Sequence, residues 1–166
     1  LGASWNISSE NFLSKIRWID YFRLRTSYGR TGNSRIGTYT AVGLYDLLNR
    51  DSGYQSEGEY AIIDPSFPPN PNLGWEVNNK FNVGIDLDFL KKFSLTADFF
   101  RDNIEDQIVS RDVIAESGYG TAQINGASMY NQGLELSLRA EILEKGAFSW
   151  RSSFNFTRIE NEVTSL

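Results

Sequence analysis

Between residues 75 and 89 the sequence WEVNNKFNVGIDLDF alternates with a period of two. Trp75, Val77, Phe81, Val83, Ile85, Leu87 and Phe89 are apolar, with Asn79 the one exception on that side. Glu76, Asn78, Lys80, Asn82, Gly84, Asp86 and Asp88 fill the positions between. Successive side chains of a strand point to opposite faces, so the pattern predicts a strand with one apolar and one charged face. The same rhythm recurs. Phe22, Leu24, Thr26 and Tyr28 alternate with Arg23, Arg25, Ser27 and Gly29 in a strand over 21–31. Phe93, Leu95, Ala97 and Phe99 open another, which DNIEDQIVSRD extends. Leu134, Leu136, Leu138, Ala140 and Ile142 oppose Glu135, Ser137, Arg139 and Glu141 over 132–143. Phe148, Trp150, Ser152, Phe154 and Phe156 oppose Ser149, Arg151, Ser153, Asn155 and Thr157. With a first strand over 1–8, six strands are predicted. SENFLSKI, with Ser9 as N-cap and Phe12, Leu13 and Ile16 on one side, predicts a short amphipathic helix.

The connections after the 21–31 strand alternate in length. Residues 32–74 are rich in Gly, Ser, Asn, Asp and Pro, and SFPPNPNLG forbids helix at their end. Leu90-Lys91-Lys92 is a tight turn. Residues 115–130, with SGYG and NGAS, predict a second long loop, and Glu144-Lys145-Gly146 a second tight turn. A structureless loop as long as 32–74 is foreign to a compact domain. The strands exceed the usual ~5–6 residues of soluble sheets, whereas a tilted strand of ~9–11 residues crosses a bilayer. Long loops on one side and short turns on the other are the arrangement of outer-membrane barrels. Trp5, Trp18, Tyr21, Phe22, Phe89, Phe93, Phe148 and Trp150 gather near one edge, as an interfacial aromatic girdle requires. These features favour an all-β, antiparallel transmembrane barrel portion, with long external loops at about 32–74 and 115–130. The alternative is a secreted β-sandwich that binds carbohydrate, its apolar face buried on a second sheet.

Charge sharpens the picture. The polar face carries Arg23, Arg25, Glu76, Lys80, Asp86, Asp88, Glu135, Arg139, Glu141 and Arg151. Eight strands leave an interior just wide enough for side chains, so six cannot close around this much charge. The sheet therefore belongs to a larger barrel, and both chain ends predict a longer protein. Formal net charge is -5, which argues against nucleic-acid binding. The chain has no Cys and no His, which excludes thiolate and imidazole chemistry. No carboxylate pair is placed across a cleft, so no enzyme is expected. No metal or cofactor is expected either: DSGYQSEGEYAIID and RDNIED do not have calcium-loop spacing.

LRTSYGRTGN (24–33), NPNLGWE (70–76), FNVGIDLDF (81–89), NQGLELSL (131–138), FSWRSSFNFT (148–157) and NEVTSL (161–166) resemble, in order and spacing, the C-terminal barrel of SusC/RagA-type TonB-dependent outer-membrane transporters of Bacteroidetes. The resemblance covers nearly the whole chain outside the two loops. It implies a barrel of 22 strands with an N-terminal plug, TonB contact through a region not in this chain, and a SusD-like surface lipoprotein partner. It implies import of oligosaccharide or peptide across the bacterial outer membrane, with loops facing the cell exterior.

Candidate sites follow. Leu24, Val77, Phe81, Val83, Ile85, Leu87, Phe89, Leu134, Leu136, Leu138 and Phe154 are expected to face lipid. Arg23, Arg25, Glu76, Lys80, Asp86, Asp88, Glu135 and Arg139 are expected to face the lumen. Arg23 and Arg25 with Asp86 and Asp88 line a substrate path, contact a plug, or are simply paired wall charges. Tyr39, Tyr45, Tyr54 and Tyr60 are candidates to stack on substrate, or else pack within the loop.

Overall fold

The structure, a computed structural model, describes residues 1–13, 15–33, 41–42, 45–47, 61–63 and 68–166, with side chains outside 45–47 and 61–63. Its strands are β1 (Gly2–Asn6), β2 (Ile19–Asn33), β3 (Tyr45–Leu47), β4 (Ala61–Ile63), β5 (Glu76–Phe89), β6 (Phe93–Asp112), β7 (Thr121–Lys145) and β8 (Phe148–Ser165). One antiparallel sheet runs in the order β1-β2-β5-β6-β7-β8, and β3 pairs with β4 in a second. The large sheet is thus a meander in which, among the described residues, every neighbour follows in sequence apart from the intervening β3–β4 pair. Registered pairing of β1 with β2 sets Trp5 opposite Leu24 and Ser4 opposite Arg25, so the apolar and polar positions of the two strands share faces.

The chain divides into two units. The first comprises Leu1–Thr31, Asn78–Ile104 and Met129–Thr164; the second comprises Gly32–Val77, Glu105–Ser128 and Ser165–Leu166. In the first unit β5 and β6 carry the alternation that the sequence predicts, and the expected tight turn joins them. Leu90 (φ 55°) and Lys91 (φ 52°) both lie in the left-handed region, and the Lys92 amide donates to the Phe89 carbonyl at 3.3 Å. Two central residues with positive φ match the right-handed twist of the flanking strands. Neither residue favours that conformation, so outside contacts stabilise it. The Leu90 amide donates to the Trp18 carbonyl at 2.8 Å, and the Lys91 amide to Asp20 Oδ2 at 2.6 Å.

Three expectations change. The helix over SENFLSKI does not form among the described residues. A 3-10 turn spans Ile7–Ser9 and ends where Glu10 turns extended (φ −85°, ψ 142°). The amides of Leu13 and Ile16 then reach back three residues, to Glu10 and Leu13, so the segment is a chain of single turns. Trp5 Nε1 also holds the Glu10 carboxylate at 3.0 Å, competing with any helical role for that side chain. Second, the loop expected over 115–130 is short. Ala115–Ser117 forms a 3-10 turn, Gly118 takes φ 76°, and β7 begins at Thr121. TAQINGASMY has no apolar alternation, so hydrophobic periodicity missed it; β6 runs on to Asp112 and its backbone groups need a paired neighbour. The same reason carries β8 beyond Thr157 to Ser165. Third, the expected irregular stretch 32–74 contains the paired strands β3 and β4.

The most informative property is what the sheet lacks. Among the described residues only Ile7 and Ala127 are buried apolar residues, and no large side chain is fully buried. Phe154 is 59% exposed and Phe81 41%. A sandwich would bury such side chains between two sheets; among the described residues no second layer covers the apolar face of this sheet.

Replacing Leu90-Lys91 by Asn-Gly, residues suited to positive φ, should stabilise the turn by about 0.5–1 kcal/mol. A higher midpoint for unfolding in detergent and denaturant checks this; a lower one shows that the Leu90 and Lys91 side chains do more than span the turn.

Candidate functional site

On the polar face of the first unit, neighbouring strands bring four charges together. Arg23 donates from Nε and Nη2 to Asp86 Oδ2 at 2.9 and 2.8 Å. Arg25 donates from Nε to the same oxygen at 2.9 Å and from Nη2 to Asp86 Oδ1 at 3.2 Å. The same Nη2 reaches both Asp98 oxygens, at 3.0 and 3.2 Å. Thr96 Oγ1 adds a long contact to Asp86 Oδ1 at 3.4 Å. These residues are i and i+2 neighbours on β2 (23, 25) and β6 (96, 98), with Asp86 on β5 between them, so parity alone gives them one face. The Asp86 side chain is 20% exposed and Arg25 33%, so water screens the network only in part. Fork geometry makes Arg the fitting cation for such shared carboxylates.

Gly84 lies beneath this network. A Cβ there would fall onto Asp98 Oδ1 and within 2.8 Å of Arg25 Nη2. The glycine of FNVGIDLDF is thus the gap through which the Arg25 guanidinium crosses β5 to reach β6. A second motif glycine, Gly133 of NQGLELSL, lies under a ring: its Cβ would meet Phe100 Cε1 at 2.6 Å and the Arg158 carbonyl at 2.7 Å.

The remaining expected lumen residues divide. Lys80 Nζ approaches Asp102 Oδ2 at 3.6 Å. Asp88 does not join Arg23 and Arg25. It lines an open depression of about 600 Å³ with Asp20, Lys91, Lys92 and Arg139, where Arg151 Nε pairs with Glu141 Oε1 at 3.2 Å. Asp98 takes the place expected for Asp88. Its signal was available, since Thr96 and Asp98 alternate with Leu95, Ala97 and Phe99. Glu135 is exposed at its alternating position on β7. Tyr39, Tyr54 and Tyr60 lie outside the described residues, and Tyr45 is described only as the first residue of β3.

In the second unit, Glu76, expected to face the lumen, bridges two neighbouring strands. Its Oε2 accepts from Asn33 Nδ2 at 2.7 Å, and its Oε1 accepts from the Ile108 amide at 3.0 Å. Asn125 acts on the same motif. It accepts from the Gly74 amide at 2.7 Å and donates to the Gly74 and Asp106 carbonyls at 3.0 and 2.7 Å. Asn70 Nδ2 donates to the Gln123 carbonyl at 2.8 Å, and the Asn72 amide donates to Asn70 Oδ1 at 3.1 Å. Asp106 has φ 56°, which kinks β6 beside these bonds. NPNLGWE is therefore a latch: its side chains and backbone tie the entry of β5 to β2, β6 and β7. Hydrophobic periodicity could not reveal it, because Asn33, Asp106 and Asn125 are remote in sequence.

With this geometry in place, known proteins supply the context. The family model for the TonB dependent receptor-like β-barrel matches residues 1–165. The chain belongs to that family. TonB-dependent receptors are outer-membrane β-barrels that work as transporters and not as enzymes. TonB-dependent receptor P39 of Formosa agariphila is 34% identical over 163 residues, covering 98% of this chain and 15% of that protein. TonB-dependent receptor SusC of Bacteroides thetaiotaomicron is 28% identical over 169 residues, covering 100% of this chain and 17% of that protein. The RagAB peptide importer in its open-open state contains a chain that superposes with a TM-score of 0.83 at 30% identity, over 99% of this chain and 18% of that one. Its closed-closed state gives a TM-score of 0.80. The chain thus spans about one-sixth of the length of these TonB-dependent receptors. No described helix is long and apolar enough to cross a membrane, and barrels of this family cross with strands.

Gly84→Ala should cost about 1–3 kcal/mol, because the added methyl displaces the Arg25–Asp98 contact. Gly29→Ala, where no heavy atom lies within 4 Å, should be close to neutral; equal effects in denaturant melts would show that the crossing guanidinium does not need the gap. Asn125→Ala should cost about 1–3 kcal/mol by leaving the Gly74 amide and carbonyl without their partner. Limited proteolysis between residues 64 and 76 should then accelerate, and an unchanged cleavage rate would refute the latch.

Proposed function

We propose that this chain forms part of the barrel wall of a TonB-dependent importer of oligosaccharide or peptide, working with a SusD-like surface lipoprotein. The observation that carries this reading is the uncovered apolar face of a single-layer sheet. Leu24, Val77, Phe81, Val83, Ile85, Leu87, Phe89, Leu134, Leu136, Leu138 and Phe154 meet lipid. Apolar positions on this face persist from Phe81 to Phe89, from Leu134 to Ile142 and, with Ser152 as an interruption, from Phe148 to Phe156, each run about nine residues long. At about 3.3 Å per residue and a tilt of about 40°, that run rises about 23 Å, against about 25 Å for the apolar band of such barrels. Near the β5–β6 turn, Trp18 meets Phe89 edge-on at 6.5 Å and Phe89 stacks on Phe93 at 5.1 Å. Trp150 and Phe148 are 54% and 59% exposed near the β7–β8 turn. Aromatics in these places suit a membrane interface.

The opposite face, with the Arg23–Asp86–Arg25–Asp98 network, Lys80, Asp88, Glu135 and Arg139, then lines the lumen. Arg23, Arg25, Lys80, Asp86 and Asp98 are held in ion pairs, which suits a wall that holds its shape while something polar moves past. The short turns β5–β6 and β7–β8 lie on the periplasmic side. The connections from β2 to β5 and from β6 to β7 lie outside, the second shortened to 113–120 by the early start of β7. Similarity to the TonB-dependent receptor SusC and to a chain of the RagAB peptide importer supports the transporter reading. TonB contact and the plug are assigned to regions of the longer protein, since the chain covers only 15–18% of its relatives.

The full-length protein should fractionate with the outer membrane and require detergent for extraction; recovery in the soluble fraction would sink the proposal. Val83→Arg and Leu136→Arg should each cost about 2–4 kcal/mol in folding into lipid, while Glu135→Leu on the other face should cost little. Refolding titrations into vesicles separate these outcomes.

A further inference from the structure

On β6, β7 and β8 of the first unit the polar face changes character along the strands. Up to Asp98, Glu135 and Thr157 it is polar. Farther from the short turns the same face carries Phe100 and Ile104 of β6, Met129 of β7, and Ile159 and Val163 of β8. Register groups these residues. The Arg101–Gln132 and Ser110–Gln123 hydrogen bonds set β6 against β7, and Gln132–Glu160 and Tyr130–Glu162 set β7 against β8. In an antiparallel ladder one residue number falls as the other rises. Ile104, Met129 and Val163 therefore share one row, and Phe100, Gly133 and Ile159 another. The Phe100 ring over the Gly133 Cβ position agrees with the second row. Asp102, Asn131 and Asn161 form the row between. Ile159 and Val163 are 55% and 57% exposed, and Phe100, Ile104 and Met129 are half-buried. A strand added beside β8 would cover its edge and leave this face open.

Two polar groups in this patch lack partners. Asn78 Oδ1 and Asn131 Oδ1 are buried and accept no hydrogen bond. A buried acceptor without a donor is costly. The terminal torsion of Asn is soft, so each oxygen can turn toward a donor laid over the sheet. Beside them Lys80 and Asp102 stand 3.6 Å apart and cancel in charge. The patch thus offers aliphatic surface, amides short of donors, and no net charge. We propose that it binds an uncharged, apolar stretch of an extended peptide substrate. The proposal deepens the importer reading by choosing peptide over oligosaccharide, and it rests on that reading and on this face lining the lumen. Peptide N–H groups are the donors that Asn78 and Asn131 lack. The two apolar rows lie about 13 Å apart, four strand residues. Side chains four apart in an extended peptide reach both rows while its backbone crosses the amides between. Charge is complementary too, since a neutral segment meets a neutral patch. A sugar would instead call for open aromatic faces. The ring in this patch, Phe100, is committed to Gly133.

The test uses the full-length transporter in mild detergent. End-blocked, uncharged octapeptides of Leu, Val, Ser and Gly are the peptide probe, and maltoheptaose is the carbohydrate probe. In equilibrium dialysis the wild type should retain peptide, and Ile159→Asn/Val163→Asn should retain it roughly tenfold more weakly. Ser149→Ala, on the same face near the β7–β8 turn, should bind as wild type does. Heat-dependent gel mobility checks that each variant is folded. A second readout does not depend on the double variant: Ile159→Cys should react with a water-soluble maleimide, located by mass spectrometry, and peptide but not maltoheptaose should slow the reaction. A wild type that retains no peptide, or unchanged peptide affinity in the folded double variant, overturns the proposal. So does protection of the introduced thiol by maltoheptaose alone. A thiol that stays unreactive shows that another part of the protein covers the patch, and this overturns it as well. A wild-type protein that stays soluble without detergent refutes the underlying membrane reading instead.

Discussion

The backbone ladder through β1, β2, β5, β6, β7 and β8 is the constraint on which everything else depends. In hydrocarbon no water is available to pair an N–H or C=O, so a chain crosses a bilayer only when its backbone groups are satisfied within the protein. The meander does this between neighbouring strands without any core. That is why the sheet can persist as one layer, with Ile7 and Ala127 as its buried apolar residues among those described. Side chains are then free to differ in character from one face to the other.

Each face solves its own problem. The apolar face needs only bulk and periodicity, and it accepts Phe, Leu, Val or Ile with little discrimination. The polar face needs geometry. Two arginines share Asp86, one of them reaches on to Asp98, and Gly84 keeps its Cβ position empty so that the guanidinium can cross. Single exposed ion pairs contribute little, about 0–1 kcal/mol, but a network that spans three strands also fixes their register. The latch around NPNLGWE does comparable work where periodicity fades. There Glu76 and Asn125 pair backbone groups at a kink in β6 that the regular ladder leaves out.

Family membership and local structure agree on what kind of object this is. The family match runs over residues 1–165 and so takes in the strands and the latch alike. The strand lengths, 14 to 25 residues from β5 to β8, exceed what a bilayer of about 9–11 tilted residues requires. Polar residues on the apolar side of β6, β7 and β8 mark where that requirement ends.

The sequence by itself determined the strands of the sheet, their two faces and the alternation of short and longer connections, because a period of two is a local property of the backbone. It also made Arg23, Arg25 and Asp86 candidates for one face, because parity is local too. Tertiary structure decided the rest. Asp98, not Asp88, completes the ion network, since the registers of β2 on β5 and of β5 on β6 choose among residues of equal parity. Residues 121–130 join β7 although they carry no apolar rhythm, since an extended β6 offers them backbone partners. Glu10 breaks the expected helix by turning extended and bonding Trp5. Asn125 and Gly74 meet only because strands remote in sequence lie side by side. Local pattern sets which way a side chain points; only the packed sheet sets what it finds there.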